Sequence, residues 1–151
     1  MGPIGKEVAI RKLREEDAYQ VGEIYSLITK EPVNEDFIKQ IRAHALKDEH
    51  EAPFVAELDG KVVGFMISYI VTLGFGAERS AYIATLGVHP RYMGRGIGME
   101  MTEEIFKFYR SQGITRVYTS VRWDSTDLLS FCKTMGFERS NFINLKRDLN
   151  R

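Results

Sequence analysis

Val88-His89-Pro90-Arg91-Tyr92-Met93-Gly94-Arg95-Gly96-Ile97-Gly98 sets three glycines at alternate positions beside two arginines, after an apolar run and before an amphipathic one. A glycine loop that feeds a helix amino end presents unpaired N–H groups and the positive end of the helix dipole, a combination suited to phosphate oxygens. Two familiar phosphate motifs fail. A P-loop needs Lys-Ser or Lys-Thr after its last glycine, where Met99-Glu100 stand. The dinucleotide fingerprint needs Gly or Ala at Met99 and an acidic residue on the following strand, and Gly113 to Arg122 holds no Asp or Glu. What the residues support is an anion held by backbone amides.

The elements around this loop follow from periodicity. Val8 to Leu13 reads as a strand, and Glu15-Glu16-Asp17 opens a helix with Ala18, Val21, Ile24, Tyr25 and Ile28 on one face. Asn34 caps a second helix carrying Phe37, Ile38, Ile41 and Ala45. Phe54–Leu58 and Lys61–Ile67, joined by Asp59-Gly60, form a hairpin. Ser80–Val88 is a strand, the loop leads into a helix with Ile97, Met101, Ile105 and Phe108, and Gly113 ends it before a strand over Arg116–Trp123. That unit is βαβ, so its strands are parallel. A short helix over Thr126–Met135 and a last strand over Phe142–Leu149 complete the pattern.

Composition bounds the rest. With 151 residues, 44% hydrophobic and 28% charged, the sequence reads as one globular domain, residues 1–151. The 21 basic and 21 acidic side chains cancel, so no bulk charge draws the chain to nucleic acid or to a lipid surface. No leader or anchor is legible, and the apolar run Val62–Phe75 is too short to span a bilayer. The single cysteine, Cys132, excludes an intrachain disulfide and a cysteine-rich zinc site, expectations that suit a cytoplasmic protein without a metal. The charge is uneven: residues 1–60 carry thirteen acidic and eight basic side chains, and residues 91–122 carry six basic and three acidic.

The span Ala81–Met101, supported by Val121–Phe137, resembles the GNAT superfamily of acetyl-CoA-dependent N-acetyltransferases. The resemblance implies an α/β (α+β) fold: a mixed sheet of six to seven strands and about four helices, with a splayed parallel strand pair holding CoA. It implies that Met93, Gly94, Arg95, Gly96, Ile97 and Gly98 wrap the pyrophosphate, and that Leu86 and Val88 hydrogen-bond the pantetheine arm. It also implies a bulged central strand, with which Gly87 is compatible, and a Val88 N–H facing the thioester carbonyl.

The departures from the family pattern fall on named residues. Met93 stands where the family has Gln or Arg, and Arg95 supplies the cation instead. Ser125 replaces an Asn and either donates to the cofactor or caps its helix. Cys132 replaces the proton-donating tyrosine, and either protonates the departing thiolate or is a buried helix residue. Tyr82, Tyr92 and Tyr118 are the substitutes. Ser120 occupies a position where some members carry a glutamate base. Glu78 could act as base through water or stand as a loop residue, and His89 sits in a turn.

The acceptor pocket implied by the resemblance is built from the first two helices and Thr72–Arg79, with Tyr25, Phe37, Phe75 and Trp123 as either lining or core. The acidic N-terminal stretch favours a cationic amine, either a small molecule or a peptide amine. A homodimer is compatible. Two other readings stay open: a non-catalytic acyl-CoA-binding module, and a nucleotide-phosphate binder of unrelated fold.

Overall fold

Ala9–Lys12 (β1) pairs antiparallel with Phe54–Leu58 (β2), β2 with Lys61–Thr72 (β3), and β3 with Arg79–Val88 (β4), which runs parallel to Val117–Thr119 (β5). The strands lie in the order β1-β2-β3-β4-β5, and the crossover from β4 to β5 is the helix Ile97–Ser111 (α3). The computed structural model describes residues 8–46, 50–72 and 78–150, as one compact unit up to Thr119 and a second from Ser120.

Strand alternation decides which helices cover which face. Phe65 and Ile67 of β3 join Val55, Leu13 and the apolar stripes of Ala18–Thr29 (α1) and Glu35–Ala45 (α2) in one buried cluster. Met66 and Ser68 point the other way and meet α3 through Thr102 and Tyr109. The Tyr109 hydroxyl lies 2.9 Å from Ser68 Oγ and accepts the Ala52 N–H at 3.1 Å, so the polar atoms on that buried face are satisfied.

The α2 cap is Asn34, whose side chain accepts the Phe37 N–H at 3.0 Å. Asp17, at the corresponding position of α1, makes no such cap because its carboxylate is engaged elsewhere. It accepts Arg11 Nη1 and Nη2 at 2.8 and 2.9 Å and the Arg14 N–H at 2.7 Å. Burial alone would raise the Asp17 pKa, but these charge-assisted bonds outweigh it and hold the carboxyl below its usual value.

Two sequence expectations are corrected. The described residues contain five strands rather than six to seven, and Phe142–Leu149 is not among them. Within that segment Ile143, Leu145 and Leu149 are each more than 80% exposed, and the Ser140 side chain turns the chain by accepting the Phe142 N–H. An alternating pattern becomes a strand only where a neighbour supplies a ladder. The strand expected over Arg116–Trp123 is likewise three residues, Val117–Thr119, as long as its pairing with β4 lasts. Among the described residues of the second unit the one helix is Thr126–Thr134 (α4).

Candidate active site

The pairing of β4 with its two neighbours changes hands at one residue. On β3, Ile67 pairs with Thr85 and Ser68 with Ile83, which leaves Ala84 as the extra residue of a bulge. Before it, the Ala81 N–H donates to the Arg116 carbonyl on the β5 side, and pairing with β5 ends at Ile83–Thr119. After it, Gly87 pairs with Phe65 and the His89 N–H donates to the Val63 carbonyl on the β3 side. By strand alternation the Leu86 and Val88 N–H groups therefore face away from β3, into the gap that opens where β5 has ended.

The bulge implied by the resemblance, with which Gly87 is compatible, sits at Ala84. Gly87 has a different reason to lack a side chain: a Cβ there would lie 2.7 Å from Ile28 Cδ1 and 2.8 Å from Phe65 Cε1. Glycine permits that close approach of strand, ring and α1.

Beyond Val88 the chain makes a short 3₁₀ turn, Pro90–Tyr92, closed by His89, whose Nδ1 accepts the Arg91 N–H at 3.1 Å. That bond makes Nδ1 an acceptor and gives His89 a structural role. Gly94 and Gly96 both have φ of +80°, a region costly for residues with a Cβ. Gly96 is the N-cap of α3, and the first helical bond runs from the Glu100 N–H to its carbonyl. The N–H groups of Ile97, Gly98 and Met99 consequently have no intrahelical acceptor and project from the helix amino end with its dipole. Ile97 is buried and anchors this end, while Met93, Gly94, Arg95 and Gly96 are exposed. The Arg95 guanidinium lies 5.3 Å from the centroid of the Tyr92 ring, which holds the cation beside the loop.

The other expected residues fall as follows. Glu78, at the start of β4, is exposed and ion-paired with Arg116 at 3.2 Å. Ser125 and Cys132 belong to the second unit. Ser125 occupies the N-cap position of α4, but its hydroxyl makes no capping bond. Cys132 is buried, 7% exposed, and burial pushes its thiol pKa up. Tyr25 stacks on Phe37 at 4.1 Å against the α1/α2 core, and Trp123 is exposed. Phe75 and most of Thr72–Arg79 lie outside the described residues.

Sequence reading missed Tyr69, which faces Tyr82 across β3 and β4, as Tyr82 faces Tyr118 across β4 and β5. Each tyrosine is an unremarkable strand residue; only the register lines them up. Burial first, then proximity to Tyr82 and Glu51, raises the Tyr69 phenol pKa.

The sequence matches the Acetyltransferase (GNAT) family over residues 10–137. The chain belongs to the GNAT acetyltransferase family. This GNAT chain shares its fold with solved structures at low sequence identity. One is an aminoglycoside N-acetyltransferase, AAC(6')-Iy, in complex with CoA, with a TM-score of 0.80, 17% identity, and 99% of each chain covered. Another is an aminoglycoside acetyltransferase from an uncultured soil metagenomic sample in complex with sisomicin, with a TM-score of 0.78, 20% identity, and 95% of this chain and 97% of that chain covered. A third is a ribosomal-protein-alanine N-acetyltransferase from Brucella melitensis biovar Abortus, with a TM-score of 0.75, 16% identity, and 94% and 99% covered.

Proposed function

We propose that this protein transfers the acetyl group of acetyl-CoA directly to a primary amine, with both units belonging to one acetyltransferase domain. The observation that carries this reading is the line of backbone donors: Leu86 and Val88 turned into the strand gap, leading to the unpaired N–H groups of Ile97, Gly98 and Met99. An extended amide-containing arm that ends in a pyrophosphate needs donors of both kinds in that order. Support comes also from the CoA bound in the AAC(6')-Iy structure.

Acetyl-CoA supplies an activated acyl carbon. The amine nitrogen forms a bond to that carbon, the carbon–sulfur bond breaks, sulfur leaves with the electron pair and gains a proton, and the amine loses one. The Val88 N–H donates to the carbonyl oxygen as it gains negative charge. Arg95 offsets phosphate charge. Glu78, held at the start of β4 by Arg116, takes the amine proton through water. Burial disfavours the Cys132 thiolate, which speaks against an acyl-accepting nucleophile and for direct transfer.

The buried Cys132, in place of a tyrosine, favours one second reading, a non-catalytic acyl-CoA-binding module. Thiol release over a panel of amines and peptides, run beside CoA titration calorimetry, separates the two. Transfer predicts CoA release with at least one amine; CoA binding with no turnover on any acceptor would support the module.

A further inference from the structure

The second unit, from Ser120, is short of a core. Among its described residues Cys132 is the one buried side chain. Leu128, Phe131 and Met135, on and beside α4, are half-buried, and Trp123, Ile143, Leu145 and Leu149 are each more than 80% exposed. A segment of about thirty residues that leaves its largest apolar side chains in water gains little to offset the entropy of ordering it.

Three of those four exposed side chains lie on Phe142–Leu149, and the segment is extended there. Lys146 Nζ lies 3.8 Å from Asp148 Oδ1, a contact between residues i and i+2 that sets both side chains on one side of the backbone. The same period of two sets Ile143, Leu145 and Leu149 together on the opposite side. The segment therefore has the form of a half-buried strand, apolar on one face and charged on the other. None of the described strands pairs with it, and its apolar face is in water.

An extended apolar face of this kind is a template for pairing unless something covers it. The fold shared with AAC(6')-Iy extends over 99% of this chain, so the segment belongs to the domain rather than to an appended tail. What completes it is then an element of the same fold, and within one chain those elements leave it exposed. A second copy supplies them again. Exchange of one segment for another closes at two copies, because each gives one strand and receives one. The 21 basic and 21 acidic side chains cancel, so no net charge keeps two copies apart. At roughly 150 Å² each, Trp123, Ile143, Leu145 and Leu149 of two copies remove ~1,200 Å² from water, which reaches the size of a stable interface.

We infer that Phe142–Leu149 is an exchanged strand: it pairs with a second copy of this chain, which covers Ile143, Leu145, Leu149 and Trp123 and receives the same segment in return. The inference is independent of the transfer reading, since a chain that binds CoA without turnover would pair in the same way.

The test is the mass in solution. Light scattering on the size-exclusion peak, from about 5 to about 100 μM protein, should give twice the chain mass of 17.3 kDa. Ile143→Lys combined with Leu145→Lys should give the single chain mass with an unchanged helical circular dichroism spectrum. Asn144→Lys, which adds the same charge on the opposite face, should stay dimeric. Amides of residues 143–149 should exchange hydrogen at least tenfold more slowly in the dimer than in the double variant. If the double variant does not fold, Leu145→Ala decides, and it should raise the dimer dissociation constant at least tenfold. A monomer at every concentration, a larger assembly, or a dimer whose 143–149 amides exchange freely overturns the exchange. So does a folded double variant that stays dimeric, or equal dissociation by Asn144→Lys.

Discussion

Ala81 and Val88 turn their N–H groups to the same side of β4, although they are seven positions apart and a regular strand would point them to opposite sides. The bulge at Ala84 is the cause: Ala81 donates to Arg116 across the β5 ladder, and Val88 faces the same side after that ladder has ended. One extra residue thus converts a paired edge into an open row of donors.

The loop beyond it makes a prediction that separates backbone from side chain. Gly96→Val places a β-branched residue at a φ of +80°, at a cost of ~1–2 kcal/mol, and crowds the helix amino end. CoA affinity measured by calorimetry should fall more than tenfold. Arg95→Ala removes an exposed cation and leaves every amide, so its effect should be only about twofold to fivefold, from ~0.5–1 kcal/mol. Equal losses in the two variants would contradict a backbone-held anion.

Cys132 carries a chemical prediction. A buried thiol with a raised pKa is a poor nucleophile, so intact-mass spectra taken during turnover should show no acetyl group on it, and alkylation by iodoacetamide at pH 8 should be slower than for a free cysteine. Even a proton donor to a good leaving group contributes only at the low end of acid catalysis, which bounds any role of this thiol. Cys132→Ala should lower kcat by no more than ~10²-fold with the KM for acetyl-CoA unchanged. An acetylated Cys132 formed at a competent rate would exclude direct transfer.

Tyr109 joins α3 to the sheet, and its hydroxyl is the acceptor for the buried Ala52 N–H. Tyr109→Phe leaves that donor unsatisfied and should cost ~1–3 kcal/mol in urea denaturation, with catalytic constants unchanged. Ser68 retains its bond to the Ala52 carbonyl at 2.7 Å, which limits the damage to one group.

Asp17 makes stability depend on pH in acid. Its folded pKa lies below the unfolded value, so the stabilisation from Arg11 and the Arg14 amide is fully present above the usual carboxylate range and is lost as pH falls through the lowered folded pKa. Thermal melts from pH 6 downward should show this acid limb, and Asp17→Asn should flatten it. An unchanged limb in the variant would assign it to other carboxylates.

Sequence alone carried the order of elements, the parallel β4–α3–β5 unit and the glycine loop, because each is written in local periodicity and in residues with special backbone freedom. Gly87 is compatible with a bulge in the sequence because a glycine marks either a bulge or a close approach, and only packing against Phe65 and Ile28 distinguishes the two. Phe142–Leu149 has a strand's alternation but forms no strand, since a ladder depends on a neighbour that the pattern does not contain. The tyrosine row was invisible for a related reason: Tyr69, Tyr82 and Tyr118 are distant in sequence, and register alone brings them side by side.

If the gap and the α3 amino end form one continuous line of backbone donors for CoA, the amide resonances of 15N-labelled protein titrated with CoA report it residue by residue. Leu86, Val88, Ile97, Gly98 and Met99 should shift together at one dissociation constant, with Gly87 and His89, whose N–H groups face β3, moving less. Shifts confined to the helix end with Leu86 and Val88 unmoved, or equal shifts at Gly87 and Val88, would contradict it.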